Sequence, residues 1–150
     1  MLVLLFTAGE TVYGIKSKDL TEVVPFMNLI SVPQAPHYLR GIFNYRGNNI
    51  PVIDLGVIIN NKLTENVLSA KILVVKLNFS GEEKTIGLIV KRINEIVRID
   101  DDKLSDPSVV IKEAKFLGKV FTHVNRLIQL IEVSSIISDE IKTLLFSERV

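Results

Sequence analysis

The 150-residue chain contains no cysteine and no tryptophan, and its only histidines are His37 and His123. Without cysteine the chain forms no disulfide bridge and no thiolate metal site. The two histidines lie far apart in sequence, and neither has carboxylates at ligand spacing, so we expect no metal site. We interpret His37 as a loop residue and His123 as a strand residue beside a turn, neither of them catalytic.

Neither sign of charge is in excess, because 18 Lys and Arg residues stand against 17 Asp and Glu residues. Binding of nucleic acid through counterion release needs a clear basic excess, so the balance argues against nucleic-acid partners. Long hydrophobic runs are also missing. The N-terminal run LVLLF has no basic residue ahead of it and is too short for a signal peptide or a membrane span. We expect a cytoplasmic protein without direct membrane insertion.

The motifs of the common enzyme classes are missing as well. The glycines stand singly, without the spacing of a phosphate-binding loop, and no serine lies in a nucleophile-elbow motif. We find no pairing of a nucleophile with a base, and no paired acid and base. The sequence therefore predicts a protein without catalytic residues and without a cofactor.

Short β-rich segments dominate what is present. Apolar residues make up 47% of the chain, enough for the packed core of a single domain. Alternating apolar runs on either side of short polar turns predict four β-hairpins, with turns at Gly9-Glu10, Arg46–Asn49, Ser80–Glu83 and Val124-Asn125. Helices are predicted at 17–24, with Ser17 as N-cap, at 54–60, and at 134–146.

The two halves of the chain resemble each other. Residues 13–24 align without a gap on residues 86–97, matching glycine, lysine and glutamate as well as apolar positions. The run IPVIDL, which begins at Ile50, falls on IQLIEV, which begins at Ile128. A repeat of roughly 75 residues in two copies is too long and too few for a solenoid. It predicts two similar small β-barrels or sheets about a pseudo-twofold, sharing a buried interface because each half alone has a marginal core.

Arg46, at the tip of the second predicted hairpin, is the first candidate functional residue. It is either a solvated arginine or a fixed guanidinium that pairs with a carboxylate and shapes a contact surface. Glu22, on the predicted short helix, is the candidate partner. Its repeat counterpart Glu95 has no arginine opposite, because Val124 stands where the first half has Arg46. The asymmetry indicates that the pair serves something only the first half does.

Four apolar positions form the second candidate. Leu20 and Ile93 are repeat counterparts that follow charged residues, and such a half-exposed pair would make a groove between the halves. A groove of that kind suits an amphipathic partner helix. The alternative is plain core packing, which we favour for Val23 and Ile96.

These residues stand in segments that resemble the CheW family of chemotaxis coupling proteins. The segments are YGIKSKDLTEVV, ISVPQAPHYLRGIFNYRGNNIPVIDL, IGLIVKRINEIVRI and RLIQLIEVSSII, so the resemblance runs from Leu2 to about Ile137. The most specific stretch is Pro36 to Leu55, which carries the family pattern P-x-x-x-x-G-x-x-x-x-R-G-x-x-x-P-V-x-D-L.

The resemblance implies one CheW-like domain over 1–150, with two five-stranded β-barrel subdomains. The first barrel would cover mainly 13–65 and the second mainly 70–133, with the N-terminal strand and the C-terminal helix crossing between them. It also implies a non-enzymatic adaptor that couples the helical cytoplasmic tips of chemoreceptors to the regulatory domain of a CheA-type histidine kinase. The kinase contact would use the exposed barrel ends.

Carried over by position, the resemblance implies site residues of two kinds. The receptor-binding groove would use Ser17, Leu20, Val23 and Ile93. The structural ion pair and its hairpin would use Glu22, Arg46, Gly41 and Gly47.

Departures from the family pattern indicate a specialised member. The last hairpin turns on Val124-Asn125, where the family usually has a small Asp-Gly-type tip. A twitching-motility or phototaxis system is one such specialisation. Two other functions stay open: a small-molecule-binding double barrel, and a subunit that binds a kinase or response regulator without any receptor.

Overall fold

The computed structural model describes residues 1–146 and shows the mainly β protein that the sequence predicts. Its strands are β1 (Leu2–Ala8), β2 (Thr11–Lys16), β3 (Leu20–Pro25), β4 (Leu39–Tyr45), β5 (Asn48–Asp54), β6 (Lys71–Phe79), β7 (Glu82–Val90), β8 (Arg92–Arg98), β9 (Leu117–His123) and β10 (Arg126–Ile131). The helices are α1 (Leu55–Asn60) and α2 (Asp139–Phe146). The last positions of the predicted domain, 147–150, lie outside the described residues.

The strands form two five-stranded sheets. Sheet A has the order β8-β1-β2-β10-β9, and sheet B has the order β3-β6-β7-β5-β4. Each sheet contains one parallel pair, β2 with β10 in sheet A and β5 with β7 in sheet B, and the other pairs are antiparallel. The parallel pairs are where strands from distant parts of the chain meet.

The two repeats are interleaved between the sheets. The strands β1–β5 form the first repeat and β6–β10 the second, so that β1 corresponds to β6, β2 to β7, and so on to β5 and β10. Replacing each strand of sheet B by its counterpart then gives the strand order of sheet A. Each sheet therefore takes a hairpin from one repeat and three strands from the other. The predicted ranges 13–65 and 70–133 do not describe this division. The hairpin β6–β7 inserts between β3 and β5, and the ladder hydrogen bonds that it forms there complete sheet B.

Both sheets are open, not the closed barrels that the sequence predicts. Within the described residues, the first and last strands of each sheet are joined through side chains and not through a backbone ladder. The outer strands β4 and β9 instead carry single bridges, Ile30 to Ile42 and Ser105 to Val120. Ile42 and Val120 are repeat counterparts, so the same edge is covered in the same way in both sheets.

The core lies in three clusters, and the largest is shared by both sheets. Along β1, Leu4 and Phe6 point into this shared core, whereas Val3 and Leu5 point into a cluster inside sheet A. Sheet B has its own inner cluster around Val52. Since each sheet buries both faces, its central strands are continuous apolar runs. The buried interface between the halves that the sequence predicts is this shared core.

Gly14 and Gly87 occupy equivalent places at the parallel pairs. A Cβ atom on Gly14 would lie 2.7 Å from Val3 Cγ1, and one on Gly87 would lie 2.8 Å from Ile72 Cγ2. Both distances are below any ordinary carbon–carbon contact. The repeat thus keeps glycine where the neighbouring strand passes too close for a side chain.

The predicted helix over 17–24 is wrong. Ser17–Asp19 forms one 3-10 turn, with Lys16 and not Ser17 at the N-cap, and the chain continues as strand β3. The apolar residues of this segment fit both periodicities, and antiparallel pairing with β6 decides for the strand. Glu22 therefore lies on a strand and not on a helix.

The helix predicted at 54–60 is confirmed as α1, and the Asp54 side chain caps it by accepting a bond from the Gly56 amide. The C-terminal helix begins at Asp139 and not at 134, because a 3-10 turn occupies Val133–Ser135. No helix in residues 1–146 is long and apolar enough to cross a membrane.

Candidate functional site

The three apolar residues assigned to the groove all border the shared core. Leu20 and Val23 lie on β3, the edge strand of sheet B, and Ile93 lies on β8, the edge strand of sheet A. All three are partly buried and pack against the shared core. Leu20 stands opposite Val75, and its repeat counterpart Ile93 stands opposite Phe6. The equivalent edges of the two sheets thus present equivalent apolar side chains.

Ile96 extends this apolar edge and is not part of the core. It stands opposite Leu4, whose side chain faces the shared core, so the two side chains lie on the same face of sheet A. Ile96 is nevertheless 65% exposed. The prediction that Val23 and Ile96 both pack inside is wrong for Ile96. Its sequence pattern matches that of Val23, and only the tertiary packing separates them.

Ser17 lies apart from these apolar side chains, on the exposed 3-10 turn between β2 and β3. This turn carries the chain from sheet A to sheet B and contacts both β1 and β6. Ser17 lines an open depression that also includes Lys16 and Glu132. Its position is therefore polar and solvated, at the end of the apolar edge of β3.

Glu22 is held by two neighbouring side chains from the β4–β5 hairpin. Arg46 Nη2 and Tyr45 Oη each lie 2.8 Å from Glu22 Oε1 and donate hydrogen bonds to it. The guanidinium of Arg46 also stacks 5.3 Å from the centre of the Tyr45 ring. The Arg46 side chain is largely exposed, so the ion pair orients side chains more than it stabilises the fold.

The tyrosine in this cluster stays protonated. Desolvation raises the pKa of Tyr45 above its usual value, and the hydrogen bond to Glu22 raises it further, against the opposing charge of Arg46. The phenol thus remains a donor to the Glu22 carboxylate at neutral pH. This side-chain contact joins the two edge strands of sheet B, since Glu22 lies on its first strand, β3, and Tyr45 ends its last strand, β4.

Sheet A has its own version of this contact. Glu95 Oε1 lies 3.4 Å from His123 Nε2, and these residues are the repeat counterparts of Glu22 and Tyr45. The sequence predicts that Glu95 has no arginine opposite, because Val124 is the counterpart of Arg46. The partner is one residue earlier. In each sheet a glutamate on one edge strand therefore contacts a side chain at the end of the other edge strand.

A buried ion pair that sequence reasoning missed braces the hairpin of sheet B. The Asp54 side chain is fully buried and accepts a hydrogen bond from the Arg40 guanidinium. It also accepts bonds from the Thr64 amide at 2.9 Å and the Thr64 hydroxyl at 2.7 Å. Arg40 lies over the Phe26 ring and donates to the Thr64 carbonyl. The signal in the sequence was an acidic residue within the apolar run IPVIDL, which requires partners once buried.

The repeat does not copy this brace. The counterpart of Asp54 is Glu132, which is partly exposed and lies 3.9 Å from Lys16 Nζ. The counterpart of Arg40 is Gly118, and a Cβ there would lie 2.7 Å from Glu132 Oε1. In sheet B an arginine at this position pairs with the acidic residue, whereas in sheet A the glycine only leaves room for the Glu132 side chain.

The two glycines named with the ion pair serve the backbone in different ways. Gly41 has φ +149, and a Cβ there would lie 2.6 Å from the Ile30 carbonyl oxygen. It allows the segment at Ile30 to bridge to β4. Gly47 has φ +87 with open space around it, so it provides the positive φ of the turn beside Arg46.

Residues 1–146 hold no group of three or more His, Asp and Glu side chains that could bind a metal ion. An open cavity of about 200 Å³ lies between the β1–β2 turn and the loop after α1, lined among others by Lys62, Thr64 and Lys91. Lys91 Nζ there lies 3.4 Å from Glu10 Oε1.

The comparisons with known proteins point to one family. The model of the CheW-like domain matches residues 2–140. The chain belongs to the CheW-like family. A relative named chemotaxis protein CheW, from Helicobacter pylori, is 31% identical over 94 residues, 63% of this chain and 54% of that protein. Another of that name, from Thermotoga maritima, is 25% identical, covering 91% of this chain and 87% of its own.

A solved structure has the same fold as this CheW-like chain. The scaffolding protein TtCheW from Thermoanaerobacter tengcongensis superposes with a TM-score of 0.79 at 26% identity, and the match covers 90% of both chains. The matched region spans about half to two thirds of two curated relatives, 54% of the Helicobacter protein and 62% of the Treponema pallidum protein, which is 28% identical over 106 residues.

Proposed function

We propose that this CheW-like chain is a non-enzymatic adaptor of a chemotaxis-type signalling array. It would couple the helical cytoplasmic tips of chemoreceptors to the regulatory domain of a CheA-type histidine kinase. The cytoplasmic location expected from the sequence belongs to the same proposal. The observation that carries it is that the equivalent edge strands of the two sheets carry equivalent apolar side chains, Leu20 and Val23 on β3 and Ile93 and Ile96 on β8. We call these four residues the apolar edge.

This apolar edge has the chemistry that a receptor helix needs. An amphipathic helix binds through apolar side chains spaced three and four residues apart, and the edge offers apolar side chains from both sheets. Three of them are partly covered by the shared core, so they are held in place before the helix arrives. Ile96 is exposed and would lose the most water-accessible apolar area on binding.

The polar residues assigned to the site lie beside the same edge. Glu22 is on β3 between Leu20 and Val23, and its bonds to Tyr45 and Arg46 fix the carboxylate. Ser17 precedes β3 on the exposed turn. We propose that these groups orient the helix and that the apolar residues supply most of the affinity. Weak binding at each contact would be reinforced by the multivalency of an array.

The test is to measure binding of the chain to a receptor-tip hairpin and to the kinase regulatory domain, separately and together. We expect Ile96→Glu to weaken binding to the receptor tip about tenfold or more, because it places a charge on the apolar face of the helix. Ile30→Glu is the matched control, since Ile30 is an exposed isoleucine on the far edge of sheet B. Kinase binding should not change in either variant.

Leu20→Glu and Ile93→Glu should have a larger effect on the receptor tip, but these residues are partly buried and the variants need a thermal unfolding check. The proposed groove would be refuted if Ile96→Glu and a folded Leu20→Glu both bound the receptor tip as tightly as the unmodified chain. Binding of the kinase domain without any binding of the receptor tip would support the alternative subunit that acts without a receptor.

A further inference from the structure

The tip of the last hairpin is built differently from the others. The β1–β2, β4–β5 and β6–β7 hairpins each place a glycine with positive φ in the turn, at Gly9, Gly47 and Gly81. The β9–β10 hairpin uses Val124 with φ 49 and Asn125 with φ 59. A β-branched residue with positive φ is sterically strained, because its Cβ substituents crowd the backbone. Local folding preferences therefore do not account for valine at this position.

Solubility does not account for it either. Val124 is 81% exposed and Leu127, three residues further along the same turn and strand, is 65% exposed. Their repeat counterparts in sheet B are the polar residues Arg46 and Asn49. Backbone strain at Val124 that the fold does not require, next to exposed apolar side chains, is typical of a protein interaction surface.

Two arginines flank this apolar pair. Arg92 begins β8 and Arg126 begins β10, and both side chains are exposed. Among the described residues, neither arginine has a carboxylate within 4.0 Å. Two carboxylates lie nearby and line the same surface, Glu95 at 3.4 Å from His123 Nε2 and Glu10 at 3.4 Å from Lys91 Nζ. The repeat counterparts of the arginines are Asp19, on the 3-10 turn before β3, and Asn48 on β5, so this positive charge belongs to sheet A alone.

The surface between these residues is concave. One depression of about 190 Å³ has Leu5 and Ile128 at its floor and Val124 at its side, and Glu95 and His123 also line it. A second, of about 460 Å³, contains Arg92 and Leu127. Three residues line both depressions, and they are Val12, Asn94 and Arg126. The two depressions therefore form one continuous surface with Arg126 at its centre.

We propose that this end of sheet A binds a segment of a partner protein in which carboxylates flank an apolar side chain. The carboxylates pair with Arg92 and Arg126, and the apolar side chain enters the depression over Leu5 and Ile128. Val124 and Leu127 cover the segment from the side. The charge complementarity selects an acidic segment, and the apolar floor selects a protein over a simple anion. The kinase contact was assigned above to the exposed barrel ends without naming residues, and this end of sheet A is one of them. The proposal rests on its own residues and does not require the kinase to be the partner.

The probe is a short blocked peptide with leucine between two glutamates, added to the ¹⁵N-labelled chain and followed by amide chemical shifts. We expect shifts confined to the β9–β10 hairpin, the start of β8 and the β1–β2 turn, and weakened by added salt. The equivalent hairpin β4–β5 in sheet B is the internal control and should not shift. A peptide with glutamines in place of the glutamates, and one with serine in place of leucine, should each bind at least about tenfold more weakly.

Charge-reversed variants separate this surface from general electrostatic attraction. Arg126→Glu should abolish the shifts, and Arg92→Glu should reduce binding about tenfold. Arg98→Glu is the matched control, because Arg98 is an exposed arginine at the other end of strand β8, and it should bind the peptide as the unmodified chain does. The amide spectrum of sheet B reports that each variant is folded.

Three results would overturn the proposal. They are shifts of equal size with inorganic phosphate alone, which would show an adventitious anion site; equal weakening by Arg98→Glu; and shifts spread over both sheets. None of these results bears on the receptor groove, which is tested by its own variants.

Discussion

Sheet A and sheet B share a framework but differ in their polar side chains. Both have the same strand order, a glycine at the parallel pair and a single bridge on the outer edge. Sheet B adds the Arg40–Asp54 pair with its buried carboxylate and the Arg46–Glu22 contact, where sheet A has a partly exposed Glu132 and an apolar hairpin tip. Apolar packing and close backbone approach therefore fix the fold, and polar residues are free to diverge.

The difference also assigns separate tasks to the two ends. The end of sheet B is polar and braced, with Glu22 held in one orientation by two donors. The end of sheet A is apolar and basic, with strain at Val124 that nothing inside the fold requires. Two copies of one framework thus offer a partner two chemically distinct surfaces.

The largest expected effect distinguishes the brace of sheet B from its counterpart. Asp54→Ala leaves the partly buried Arg40 without its carboxylate and removes the cap of α1, so the free energy of unfolding should fall by about 3–5 kcal/mol. Glu132→Ala should cost less than about 1 kcal/mol, because its pair with Lys16 is exposed. Urea unfolding of both variants measures the two values. Equal losses would show that burial of Asp54 adds no stability beyond that of a surface pair.

The next effect tests the equivalence of the two sheets. Gly14→Ala and Gly87→Ala should each lower the free energy of unfolding by about 1–3 kcal/mol, since the new methyl meets a neighbouring branched side chain. The double variant Gly14→Ala with Val3→Ala should lose less than the sum of the two single losses, because Val3→Ala removes the atom that the new methyl meets. Thermal unfolding compares the variants. If only one of the glycines proves sensitive, the two parallel pairs are not equivalent.

A smaller effect, of opposite sign, concerns the hairpin tips. Val124→Gly should raise the free energy of unfolding by about 1 kcal/mol, because glycine adopts the positive φ without strain. Arg46→Gly should gain less, since it also removes the contact with Glu22. Chemical denaturation of the two variants side by side gives the comparison. A loss of stability in Val124→Gly would mean that the exposed valine packs favourably and that this packing outweighs the backbone strain.

The smallest effect concerns the side-chain closure of sheet B. The pKa of Tyr45 is raised on folding, so the protonated phenol stabilises the folded chain. This stabilisation is fully present below the usual tyrosine pKa of about 10 and is lost as the pH rises through the higher pKa of Tyr45 in the folded chain. Ultraviolet titration of the phenols should show one fewer late-titrating group in Tyr45→Phe. Stability of the unmodified chain should also fall more steeply above about pH 10 than stability of Tyr45→Phe. Identical slopes would contradict the bond to Glu22.

Much of the framework was readable from the sequence because it is written in local patterns. Alternating apolar runs around short turns gave the four hairpins, and the repeat gave the shared core. Which strands join which sheet was not readable, because the parallel pairs link β5 to β7 and β2 to β10 across long stretches of chain. No local pattern carries that information.

The site was readable to a lesser degree. The sequence singled out Glu22 and Arg46, yet it placed Glu22 on a helix because Leu20, Val23 and Val24 fit both helical and strand spacing. It missed Arg40 as the partner of Asp54, because the apolar run around Asp54 indicates burial but does not identify the partner. It also put Ile96 in the core on the strength of its likeness to Val23.

The interleaving of the repeats has a consequence for the order of folding during synthesis. Sheet B is complete once β7 has left the ribosome, because all its strands lie between positions 20 and 90. Of the strands of sheet A, the hairpin β1–β2 is made first, but its neighbours β8 and β10 are made only after sheet B is complete. The face of β1 that carries Leu4 and Phe6 can pack on sheet B at that stage, whereas the face that carries Val3 and Leu5 stays uncovered until β8, β9 and β10 arrive.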